Sequence, residues 1–170
     1  MVQQLQREIP AEQRWDIATR SANMLPFAYG QAFREIAPER QSELDRAERE
    51  IWRVAGTQQA DIAKSLRLPV NSAAEVAETM SEISRTVLGP QLQNRAIREE
   101  GDSATVITEQ CPMAANTKAF GPDARHTCEL CSAYVKGAIE SLNPNYQITS
   151  DRHMCMGDSS CRMTIEKVQK

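Results

Sequence analysis

The stretch PDARHTCELCSAYVKGAIESLN, Pro122–Asn143, decides how the rest of the chain is read. Ala133, Val135, Ala138, Ile139 and Leu142 recur at helical spacing, which predicts a helix with one apolar side. Upstream, SATVITEQ (103–110) is rich in β-branched residues and reads as a strand. Downstream, NYQITS (145–150) reads as a short strand and the alternating CRMTIEKVQ (161–169) as a final one. A helix set among strands in this way buries its apolar side on the sheet that they form.

Residues 1–100 read as helical. AEQRWDIATRSANML (11–25) spaces Trp15, Ile17, Ala18 and Leu25 as a helix does, and Pro26 is expected to interrupt it. In PFAYGQAFREIA (26–37), Phe27, Phe33 and Ile36 are placed to pack inward, with Gly30 weakening the segment. Pro38 suits the start of the next helix. That helix presents Leu44, Ala47, Ile51, Trp52 and Ala55 inward, and Gly56 stops it. Thr57 then caps QQADIAKSLRL (58–68), and Ser72 with Glu75 forms a capping box for AAEVAETMSEISRTVLG (73–89). Two short helices joined by LPVN could suggest a helix-turn-helix. Glu75, Glu78 and Glu82 on the second would repel phosphates, so helix packing is the better account. The expected architecture is α+β in one domain, 1–170. Its helical part, 1–100, packs on an α+β cysteine-rich part, 101–170, that contains a small antiparallel sheet and the cysteine-bearing helix.

Composition narrows the function. With 170 residues the chain can bury a core without disulfides. A net charge of −3 supplies no concentrated basic face, which argues against a nucleic-acid partner. Mean hydropathy of −0.52 and the lack of a long apolar run argue against a membrane span. MVQQLQREIPAEQRW has neither the basic start nor the apolar stretch of a leader, so a cytoplasmic location is expected. Self-association through the helical part is open, with no face singled out.

All 5 cysteines and both histidines lie after residue 110. In a reducing compartment, clustered cysteines are more often metal ligands or catalytic groups than a disulfide frame. Cys128 and Cys131 form C-x2-C at a helix start, where the dipole favours thiolates. Cys155 and Cys161 flank the Gly157-Asp158 turn, which could fold both sulfurs back to one point. Four thiolates from the two pairs would give a closed tetrahedral zinc site, with His126, Asp151 and His153 as spare ligands. Cys111, before Pro112, has three readings: a nucleophile with His126 as base, a member of an iron–sulfur cluster, or an inert core thiol. Asp158 also suits a plain turn role, and His126 plain packing beside the helix.

Cys111-Pro112, Cys128, Cys131, Gly137, Asn143-Pro144, Gly157-Asp158 and Cys161-Arg162 together resemble the L-2-amino-thiazoline-4-carboxylic acid hydrolase family. The resemblance spans about residues 45–167 and is carried from Cys111 onward. It implies a hydrolase that opens a cyclic amidine at a C–N bond to give a carbamoyl-cysteine. Such chemistry needs a nucleophile, an acid and a cation for the substrate carboxylate. Cys111 or a metal-bound water would attack, His126 or Asp158 would carry the proton, and Arg125, Arg152 or Arg162 would clamp the carboxylate. A more distant likeness is to the vinyl-reductase-type small-molecule-binding domain, some members of which hold zinc. In that pattern Cys128 or Cys131, Asp151, Cys155 and Cys161 match in order, although the gap between the last two is shorter. This likeness implies a binding module with an apolar pocket and a structural metal. An iron–sulfur or redox protein is the third possibility.

Overall fold

The computed structural model describes residues 8–120 and 123–169. Its central strand is β2, Ser103–Gln110, where Ala104, Thr105, Val106 and Thr108 are all buried. Burial on both faces is what the run of β-branched residues favours. β2 pairs antiparallel with β1, Gln93–Glu99, and with β4, Cys161–Lys167; β4 pairs in turn with β3, Tyr146–Arg152. The sheet order is β1-β2-β4-β3. The register shifts at Gln93/Asn94 on one outer strand and at Ser150/Arg152 on the other.

Among the described residues five α-helices complete the fold: α1 Ala11–Ile36, α2 Gln41–Leu66, α3 Ala73–Leu88, α4 Pro112–Phe120 and α5 Ala124–Leu142. The core joins α3 (Val76, Met80, Ile83) and α5 (Val135, Ala138, Ile139, Leu142) to Val106 and Ile165 of the sheet. The α+β architecture and the cysteine-bearing helix are therefore as the sequence leads one to expect.

The α2–α5 contact is the closest in the helical layer. A Cβ on Gly56 would run into the carbonyl oxygen of Tyr134, and one on Gly137 into that of Arg53. The backbones meet where neither helix has a side chain. Gly56 is therefore a mid-helix contact residue and not the expected stop, and α2 continues through it. Thr57 caps nothing; its hydroxyl donates to Val54 O at 2.7 Å. Along α2, Leu44 and Ala55 are half-buried, but Ile51 is 66% exposed, so the inward face is rotated toward Gly56, Gln59 and Ala63.

Pro26 does not interrupt α1. Side-chain bonds hold the helix on both sides of the proline: Trp15 Nε1 donates to Thr86 O, Asn23 Nδ2 to Leu88 O, and Arg34 to Asp45 and Glu48. Such tertiary bonds offset the backbone bond that proline removes. Phe27 is buried, whereas Phe33 and Ile36 are exposed. β1 also lies inside the stretch read as helical. QNRAIRE has only two apolar residues, and it is pairing with β2 that makes it a strand. The leader reading falls partly on residues 1–7, outside those described, as does Pro122 at the start of the quoted helix.

Half of the capping box at α3 forms, with Ser72 Oγ accepting from Glu75 N at 3.3 Å, and the returning bond lands one residue before the cap. Glu75 Oε2 accepts from the N–H of Asn71. Asp102, in the β1–β2 turn, also accepts from Ala73 N, from Tyr146 Oη and from Lys167 Nζ, each at 2.9 Å. The Ala73 N–H first, then Lys167 and Tyr146, hold its carboxyl at about 2. A carboxyl depressed in the folded state adds stability above its unfolded value of about 3.9. That contribution disappears as pH falls through about 2. The melting temperature of the wild type should therefore fall more steeply than that of Asp102→Asn between about pH 4 and pH 2. Parallel melting curves would show that the carboxylate is not coupled to folding.

Candidate functional site

A cavity of about 310 Å³ lies between the helices and one end of the sheet. Ala22 and Pro26 of α1, Trp52 and Ala55 of α2, and Met80 and Leu88 of α3 form much of its apolar wall. The glycine contact sets α5 across α2 so that Cys128, Cys131, Tyr134 and Val135 form another side. Among the described residues no lysine, arginine, aspartate or glutamate lines it.

All five cysteines reach this cavity, but not as four equivalent thiolates. Cys128 and Cys155 are joined in a disulfide with Cα atoms 6.2 Å apart, which ties α5 to the turn Met154–Met156 before β4. Cys111, Cys131 and Cys161 are free. Burial, with Cys111 and Cys161 nearby, pushes the Cys131 thiol up to about 12. Burial also raises Cys111, against the N–H groups of Ala114 and Met113 at the start of α4. Cys161 is raised by burial as well, against the Met154 N–H that meets its sulfur at 3.3 Å. The three free thiols thus stay protonated at neutral pH. Zinc held by Cys128, Cys131, Cys155 and Cys161 would require the Cys128–Cys155 disulfide open, so that ligand set is not assembled in this structure.

The remaining residues singled out in the sequence disperse. His126 is buried, with Nε2 2.7 Å from Glu48 Oε2 and 3.7 Å from Asp45 Oδ1. It lies outside the lining of the cysteine cavity and borders a separate cleft of about 10 Å³ beside Gly30 and Arg34. Arg34 bridges the two carboxylates at 2.8 and 2.7 Å. Burial would raise Glu48, but its bonds to His126 and Arg34 prevail and lower it. Asp45, Glu48 and His126 are the one group among the described residues with three such ligand atoms within 4.8 Å. Arg34 already supplies the cation there. The signal for this network is Asp45-x-x-Glu48, one helical turn apart, but no local pattern couples it to His126.

Asp158 accepts from the His153 N–H at 2.7 Å and closes its turn. Arg162 makes a two-pronged pair with Asp151, at 3.1 and 2.7 Å. Arg125 and Arg152 are exposed, and none of the three arginines lines the cavity. His153 does line it. Sequence reading missed α4, which carries Met113 to the wall, and the polar trio Gln59, Ser84 and Tyr134.

Comparison with known proteins places the fold. Trafficking protein particle complex subunit 3 from Naegleria fowleri, solved covalently bound to palmitic acid, is similar with a TM-score of 0.60 and 10% identity, over 91% of this chain and 99% of that one. The phenol-responsive sensory domain of the transcription activator PoxR, solved with phenol, is similar with a TM-score of 0.57 and 12% identity, over 85% of this chain and 74% of that one. No family model and no curated protein matches, so the hydrolase resemblance gains no support there. What the two structures establish is a small α+β fold that in each of them holds a small molecule. Among the described residues no helix is long and apolar enough to cross a membrane.

Disulfide and free thiols can be counted directly. Unfolded without reductant, the chain should yield three reactive thiols, and five after reduction. Reduction of the folded protein should lower its stability by about 3 kcal/mol, from the loop-closure entropy returned to the unfolded chain. Five thiols without reductant would mean that Cys128 and Cys155 are not joined.

Proposed function

We propose that this chain is a small-molecule-binding domain that encloses a compact apolar ligand in the cavity between its helices and sheet. The observation that carries the reading is the cavity itself: about 310 Å³, walled by aliphatic, aromatic and sulfur-bearing side chains with a few polar groups among them. That composition is typical of ligand sites, and the size is near the lower end of their range. A buried cavity of about 150 Å³ takes benzene, so this one suits a ligand of one or two rings. The palmitic acid and phenol in the two similar structures support binding of apolar compounds by this fold. Phenol and indole are suitable first probes: Trp52 lies on the wall and reports phenol through its fluorescence, and indole, which emits as tryptophan does, is read by melting temperature. Saturable quenching and a raised melting temperature are expected for the wild type. Ala55→Phe, which places a ring inside the cavity, should weaken both while leaving the circular dichroism spectrum unchanged. Equal quenching in the variant would put the ligand elsewhere.

A second reading, hydrolysis of a cyclic amidine C–N bond, rests on Cys111. This thiol borders the cavity, and the N–H groups of Met113 and Ala114, which oppose but do not overcome the rise that burial causes, would favour an oxyanion formed beside it. Under this reading His153, not His126, is the histidine on the same cavity wall. The wild type would open 2-amino-thiazoline-4-carboxylate, and Cys111→Ser would not, at an unchanged melting temperature. Binding of phenol or indole without any ring opening would leave the binding reading alone.

A further inference from the structure

On the reading that the cavity holds a ligand, we infer that Tyr134 and Ser84 form its polar recognition point and select a neutral ligand that carries one hydrogen-bond acceptor. Both side chains line the cavity. Behind them Gln59, 1% exposed and outside the lining, donates from Nε2 to Tyr134 Oη at 2.9 Å and to Ser84 Oγ at 3.3 Å. Those two bonds use both hydrogens of the amide nitrogen.

The direction of the network decides what a ligand meets. Each hydroxyl has accepted a bond through oxygen and keeps its own hydrogen. Burial raises Tyr134 above the ordinary phenol value, so its hydrogen stays in place, and Ser84 lies near enough for one hydrogen to be shared within the pair. The other still has no protein acceptor among the described residues and remains for the ligand. The opposite amide orientation would turn both hydroxyl hydrogens back toward Gln59. It would leave an amide nitrogen buried with two hydrogens unpaired, where the present orientation leaves only the carbonyl oxygen, Gln59 Oε1. A carbonyl oxygen without a partner is the more tolerated of the two.

Charge sets the rest of the specificity. A carboxylate or phosphate would enter a cavity with no lysine or arginine on its wall among the described residues and His153, beside Cys155, as the one basic side chain there, and an unpaired buried charge is costly. A ketone, ester or ether oxygen on an apolar body loses little water and gains the free O–H.

Acetophenone and α-methylstyrene test this directly, since they differ by a carbonyl oxygen in place of a methylene carbon. Titration calorimetry on the wild type, Tyr134→Phe and Ser84→Ala gives the comparison. Phenylalanine keeps the edge-on ring contact with Trp52, at 6.2 Å between centroids, and circular dichroism confirms that each variant folds. At least one substitution should weaken acetophenone about tenfold, the worth of one hydrogen bond, and change α-methylstyrene by less than about twofold. Benzoate should bind the wild type more weakly than acetophenone. Equal losses for both probes, no loss for either, or preference for benzoate would overturn the donor assignment and leave the binding reading standing. If neither acetophenone nor α-methylstyrene binds the wild type, the binding reading falls and the inference with it.

Discussion

Two glycines, Gly56 on α2 and Gly137 on α5, bring the backbones of their helices into contact, and the rest of the molecule is arranged around that contact. A glycine inside a helix costs about 1 kcal/mol relative to alanine, so each is retained against local preference. The return is position. Because α5 lies directly on α2, the residues that flank the contact turn to its two sides. His126 meets Glu48, which Arg34 also pairs, while Tyr134 stacks edge-on against Trp52 and reaches Gln59. Between α5, α3 and α1, the side chains do not close completely, and the cavity is what remains.

Much of this was legible in the sequence where local chemistry and tertiary structure agree. β-branched residues mark β2, alternation marks β4, and spacing marks the buried side of α5. The α3 cap was legible because Ser72 and Glu75 act within one turn. The misses share a cause. Pro26 and Gly56 are local helix breakers, and each is overruled by a contact with residues distant in sequence. β1 has a weak pattern because an outer strand with one partner buries little. α4 is short and follows a cysteine–proline pair that reads as a loop.

The candidate site divides along the same line. The cysteines clustered after residue 110 do converge on one cavity, because α5, the turn at Met154 and β4 come together there. Which sulfurs pair is a matter of three-dimensional distance, and spacing along the chain gives no sign that Cys128 joins Cys155 and not Cys131. His126 was paired with Cys111 on the grounds of its chemistry. Its imidazole is instead held by carboxylates on α2, a helix that contains no soft ligand. The polar trio was invisible because Gln59, Ser84 and Tyr134 are ordinary residue types in ordinary helices, and only the fold brings their side chains together.

The irregularities at the two margins of the sheet have a consequence of their own. An outer strand normally offers a row of free N–H and C=O groups on which another chain can polymerise. Here β1 carries Arg95, Arg98 and Glu99 and shifts register at Gln93/Asn94, while β3 shifts at Ser150/Arg152 beside Asp151. Charge and a broken ladder at both margins discourage strand addition and fibrillar stacking. Among the described residues, a sheet of four strands so terminated offers no ready template for strand addition along either side, and its growth ends with the domain.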